Sequence, residues 1–103
     1  MKHVFLCALL AGAAVHASAT DIADLAKASG CYSCHANGEK LVGPSFAAIA
    51  EKYKGDKDAA AVLAQAIQNG SRGKWGRVPM PGHPSLSPTD LKALSQCVLT
   101  VKP

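Results

Sequence analysis

Gly30-Cys31-Tyr32-Ser33-Cys34-His35 decides how the rest of this 103-residue chain is read. Two cysteines three positions apart, with histidine directly after the second, form the attachment signature of c-type haem. The requirement is geometric. Both thiols must reach the two vinyl groups along one porphyrin edge and form thioethers, while the next residue turns its imidazole under the ring toward the iron. Rival uses of these residues demand companions that the chain lacks. A structural zinc site needs four ligands, commonly a second closely spaced pair, whereas Cys97 and His83 stand far away along the chain. A thioredoxin-type dithiol needs βαβ surroundings, and no alternating apolar stretch reads as a strand.

On either side of the motif the periodicity is helical. Ile22, Leu25 and Ala26 share one face of a segment that starts near Asp21 and stops at Gly30, a residue suited to a left-handed helix end. Downstream, Pro44 suits the first turn of a second helix running through Phe46, Ile49 and Tyr53 to Lys54-Gly55. Asp58 is placed to cap a third, with Val62, Leu63, Ala66 and Ile67 as its apolar stripe and Asn69-Gly70 as its end. The last helix has Ser87 as cap, Pro88 at its first position and Asp90 returning to the cap, with Leu91, Leu94, Val98 and Val101 on one face. Between the third and fourth helices, Ser71 to Pro84 is rich in Gly and Pro yet carries Trp75, Val78 and Met80, costly residues to expose. It reads as an ordered loop wrapped over something apolar.

The first 19 residues have the three parts of a secretory signal: Lys2, an apolar run from Val4 to Val15, and the small residues Ala17-Ser18-Ala19. The run is too short to cross a bilayer, which takes about 20 helical residues. Leu6 before Cys7 is bulky where lipid-modified cysteines follow small residues. The expected division is a cleaved signal peptide, residues 1–19, and one domain, residues 20–103, exported to the periplasm with no transmembrane segment. After cleavage ten Lys and Arg face seven Asp and Glu, a mild positive balance that suits an acidic protein partner and is too weak to argue for nucleic acid. Three cysteines remain, an odd number that argues against a disulfide framework. So small a domain usually needs a staple, which a covalent cofactor supplies.

With His35 on one side of the iron, the sixth position has several candidates: Met80, His83 and, more remotely, Lys52, Lys54 or Lys74. Met80 is favoured, because Pro79 and Pro81 stiffen the backbone around its thioether and Met/His is a recurrent axial pair. His83 reads as a surface residue.

Taken in order, the haem motif, Gly43-Pro44-Ser45-Phe46, Gly70-Ser71-Arg72-Gly73-Lys74-Trp75-Gly76, Val78-Pro79-Met80-Pro81 and the closing helix resemble the small bacterial class I cytochromes c over nearly all of residues 21 to 102. The resemblance implies an all-α small cytochrome c fold: about four helices around one covalently bound haem, with the long Gly/Pro-rich loop carrying the methionine ligand. It implies a periplasmic one-electron shuttle, not an enzyme, with one haem c and its iron as cofactor. Cys31 and Cys34 would be the thioether residues, and His35 and Met80 the axial ligands. Pro44 would offer its carbonyl to the second ring nitrogen of His35, and Trp75 would lie near the haem propionates. Phe46, Ile49, Leu63, Ile67 and Val78 would wall the haem. Redox protein partners are implied, with Lys40, Lys74 and Arg77 as candidate steering charges toward an acidic surface; no oligomeric state is implied. Where the family usually has an aromatic residue on the closing helix, this chain has Cys97, expected as a buried free thiol with Tyr32 or Leu25 filling the gap. Two other classes stay open on the residues alone: a haem-bearing subunit of a larger oxidoreductase complex, and an open-site haem protein that binds gas or catalyses.

Overall fold

In the computed structural model, which describes residues 19–103, helix α1 spans Ala19–Ala28, with Asp21 in its first turn and Lys27 in its last, each favourable to the helix dipole. Ile22 and Ala26 are buried and Leu25 is half-buried, as a 3.6-residue period dictates. Gly30 takes a left-handed conformation, φ 82°, and turns the chain into a short 3-10 helix, Cys31–Ser33. Beyond it lie α2, Phe46–Lys52, α3, Ala59–Asn69, and α4, Pro88–Leu99. The described residues hold no strand, only an isolated antiparallel bridge between Ser71 and Met80.

Two helix starts depart from the sequence reading. Pro44 does not open α2. Ser45, in extended conformation, is the cap and accepts the Ala48 N–H on its hydroxyl at 3.0 Å, so the helix begins at Phe46 and Pro44 lies outside it. Asp58 stands at the cap position of α3, but its side chain makes no capping bond; Asp56 Oδ1 instead accepts the Asp58 N–H at 2.8 Å, closing the turn before the helix. The start of α4 is as expected: Ser87 accepts the Asp90 N–H at 3.1 Å, and Pro88 occupies the first turn, where its missing N–H is no loss.

Helix α4 packs against α1, α2 and α3. Its two deeply buried leucines, Leu91 and Leu94, each contribute about 1.5–3 kcal/mol by leaving water. Leu94 joins Ile22 and Ala26 in one buried cluster, while Phe46, Ile49 and Leu63 form a second, to which Val98 and Val101 attach. Cys31 packs against both clusters, so the attachment motif sits at the junction of the core. Ser95 has no exposed surface, and its hydroxyl donates to the Leu91 carbonyl at 2.8 Å, which makes a polar group tolerable there.

Cys97 corrects the expectation of a free thiol. It is half-buried and disulfide-bonded. Leu25 does pack into the same cluster as Cys97, whereas Tyr32 turns away toward Phe46. The expected signal peptide, apart from its last residue Ala19, also lies outside the described residues. None of the described helices is long and apolar enough to cross a membrane.

Candidate functional site

The site begins with a tight wrap of backbone. Ser33 N–H donates to the Gly30 carbonyl at 3.1 Å, and the Cys34 and His35 N–H groups both donate to the Cys31 carbonyl, at 3.2 and 3.0 Å. These bonds gather two thiols and an imidazole within one turn. Cys31 and Cys34 are both half-buried. Burial pushes the Cys31 thiol up, with a smaller opposing pull from a backbone hydrogen bond. A redox dithiol requires the reverse, a cysteine whose thiolate is stabilised. Among the described residues no group of three or more His, Cys, Asp or Glu side chains is placed to hold a metal ion. Zinc therefore has no site in the motif.

His35 is held from three sides. Its Nδ1 lies 2.7 Å from the Pro44 carbonyl oxygen. A carbonyl can only accept, so in the neutral ring the proton sits on Nδ1 and the lone pair is left on Nε2, the form that binds a metal. The ring stacks on Phe46 with centroids 5.0 Å apart and planes 22° apart. Gly43 covers another side: a Cβ there would come within 2.7 Å of His35 Cε1 and 3.1 Å of Nδ1. Three backbone bonds stitch this arc together, from Gly43 N–H to the Cys34 carbonyl at 2.8 Å, Phe46 N–H to Ala36 at 2.9 Å, and Ala47 N–H to Asn37 at 2.9 Å. Tyr32 packs edge-on against Phe46 at 5.6 Å and points its hydroxyl at Asn37 Oδ1, 3.4 Å away.

Met80 is mounted on a different support. Ser71 and Met80 exchange backbone hydrogen bonds of 3.0 and 2.8 Å, which close the loop at its base. The base presses on the end of α3: Gly70, at φ 83°, would place a Cβ 2.6 Å from the Met80 carbonyl, and Gly82 would place one 2.7 Å from the Gln68 carbonyl. His83 N–H then donates to the Ile67 and Gln68 carbonyls at 2.8 and 3.2 Å. Residues 72–79 are exposed throughout, Trp75 to 41 % and Val78 to 64 %. Trp75 faces Lys52, whose ammonium lies 5.5 Å from the indole centroid and 5.8 Å from the Tyr53 ring.

The structure thus brings Cys31, Cys34, His35 and Pro44 into one constellation and sets Met80 and Trp75 on a docked loop. Of the expected haem wall, Phe46, Ile49 and Leu63 share one buried cluster, Ile67 packs with the other, and Val78 is exposed. Tyr32 was read as filling the gap beside Cys97 and Lys52 as a remote candidate for the sixth position, not as these contacts; Lys52-Tyr53 carried no sign of a partner at Trp75, 23 positions beyond Lys52. The donor set fits haem c: two thiols beside each other, an imidazole with Nε2 available, and a single thioether on a stiffened loop.

A family model described as Cytochrome c matches residues 19–102. Cytochrome c-552 of Nitrosomonas europaea is 48 % identical over an alignment covering 78 % of each chain. Cytochrome c-551 of Pseudomonas aeruginosa is 41 % identical over 99 % of this chain and all of that relative. The crystal structure of wild-type Nitrosomonas europaea cytochrome c552 superposes with a TM-score of 0.75, covering 78 % of this chain and 99 % of that one.

The His35 pocket generates a paired prediction. Gly43→Ala forces a methyl into a ring pinned by its hydrogen bond and by Phe46, and is expected to cost about 1–3 kcal/mol, the range for overpacking. Gly38→Ala meets nothing within 4 Å and should stay within about 0.5 kcal/mol of the parent. Denaturant titration of the purified proteins measures both, and equal effects would refute the steric account of Gly43.

Proposed function

This chain belongs to the cytochrome c family, and from that premise we propose that His35 and Met80 are the two axial ligands of its one covalent haem c. The protein is an electron carrier. The bound group supplies an iron that cycles between ferric and ferrous states, so one electron is carried at a time. What the chain supplies is attachment, orientation and exclusion. Cys31 and Cys34 provide the thiols for the two thioether links. Pro44 accepts the Nδ1 proton of His35 in a hydrogen bond, which keeps Nε2 free and fixes the ring's orientation. Phe46 and Gly43 fix the plane of that ring.

Met80 gives a soft thioether that favours the reduced metal and raises the potential. Its backbone is bonded in both directions to Ser71, so the ligand reaches its position with little ordering left to do. With His35 and Met80 both given to the iron, no position would remain there for a substrate, which supports a carrier and not an enzyme. The single observation that carries this reading is the pair of independent supports, the Pro44 bond behind His35 and the Ser71 bridge beneath Met80.

Absorption spectroscopy of the haem-loaded protein tests it. Ferric protein should show the weak far-red band of methionine-bound haem, and Met80→Ala should abolish it while the covalent haem remains. A band that survives the substitution removes Met80 from the iron.

Export to the periplasm is the second part of the proposal, resting on the Lys2, Val4–Val15 and Ala17-Ser18-Ala19 pattern. The exported protein should have the intact mass of residues 20–103 plus one haem. A mass that still includes residues 1–19 defeats the assignment.

The redox partner docks through an acidic surface. Lys40, Lys74 and Arg77 are all exposed, and the sequence has no Asp or Glu between Asp58 and Asp90, a stretch that holds Arg72, Lys74 and Arg77. Electron exchange with anionic ferricyanide should slow as salt rises toward about 0.15 M, where screening sets in within about 8 Å. The Lys74→Glu, Arg77→Glu double variant should flatten or invert that slope; an unchanged slope would remove these two residues from steering.

A further inference from the structure

Lys52 lies between two aromatic rings that belong to different parts of the fold. Tyr53 follows α2 directly and packs against the buried cluster of Phe46, Ile49 and Leu63. Trp75 stands at the tip of the 71–84 loop, the point farthest along the chain from the Ser71 and Met80 bridge at its base. The ammonium is within 6 Å of both ring centroids, the reach of a cation–π attraction.

The loop needs a hold at that point. The two glycines that flank the tip, Gly73 and Gly76, take positive φ values of 81° and 120°. Glycines lose more conformational freedom on ordering than other residues, so the backbone alone orders the tip poorly. The bridge fixes the base, and the contact between Lys52 and Trp75 fixes the tip.

We propose that Lys52 is a positioning residue for Met80: its ammonium, held by Tyr53, latches Trp75 to α2 and keeps the methionine loop closed. The inference rests on the reading of Met80 as an iron ligand. Loss of the latch raises the population of open loop, in which Met80 gives way more readily to an added ligand. A guanidinium at the same position satisfies both rings, whereas a neutral amide does not.

Two measurements on the haem-loaded protein decide the matter. One is the affinity of the ferric form for imidazole, which must displace the loop ligand. The other is amide hydrogen exchange at Ser71 and Met80 in the ferrous form, which reports loop opening whatever binds the iron. Lys52→Gln should tighten imidazole binding and speed exchange at both amides by about two- to fivefold, the size of an exposed cation–π contact. Lys52→Arg should restore parent behaviour. In a Trp75→Leu background, itself shifted in the same direction, Lys52→Gln should add nothing. The latch is overturned if Lys52→Gln matches the parent in both readouts, or if its effect is undiminished without the indole. Failure of the ligand reading looks different: the parent protein lacks the far-red band, and the exchange data still decide the latch.

Discussion

The 2.7 Å hydrogen bond between His35 Nδ1 and the Pro44 carbonyl is the constraint around which the rest of the molecule is arranged. It sets the tautomer that leaves Nε2 free, which the proposed binding of iron by His35 requires. For the bond to form, Pro44 must lie outside a helix with its carbonyl turned inward. Ser45 makes that possible by capping α2 one residue later. Gly43 must lack a side chain so that the ring can lie where the carbonyl reaches it. Phe46 then covers a ring face that water would otherwise contact. Four consecutive residues thus serve one imidazole, each for a different physical reason.

The attachment motif is also a structural joint. Cys31 touches both buried clusters, and α4 packs on the other three helices, so the two halves of the core meet beside the residues that hold the cofactor. In a domain this small the apolar surface available for burial is limited, and a covalently fixed group adds core without adding chain. Stability and function are therefore hard to separate near Cys31: a change that loosens the clusters also moves the residues proposed to hold the iron.

Much of this was legible in the sequence, where the signal was local. Gly30, Gly70, Ser87 and Pro88 mark helix ends through backbone chemistry that a few neighbouring residues determine, and they stand where that chemistry puts them. The errors were cases where two local rules competed. Pro44 suits a first helical turn, but Ser45 is the better cap and its hydroxyl wins. Asp58 suits a cap, but Asp56 closes the turn first and leaves the Asp58 side chain unused. Cys97 is a different case: a disulfide leaves no periodic trace in the sequence. The contact of Lys52 with Trp75 was invisible for the same reason: it depends on how a loop folds back over a helix, which neither segment encodes alone.

Helix α2 gives these separate features a common frame. It has seven residues, so its ends lie about 9 Å apart along a rigid axis. Phe46 at one end lies against His35; Lys52 at the other lies against Trp75. The supports of the two proposed ligands are thereby joined through one short, hydrogen-bonded element anchored in the core by Ile49. Such a link matters for a carrier, because electron exchange is favoured when the ligands move little between oxidation states. Glycine-rich loops lose the most conformational freedom on ordering, and the Met80 loop has Gly73 and Gly76 at positive φ. Holding its base against α3 and its tip against α2 ties the support of the proposed thioether ligand to two of the three helices that pack on α4. The imidazole side is rigid by its own local bonds; the thioether side is made rigid by borrowing order from the core.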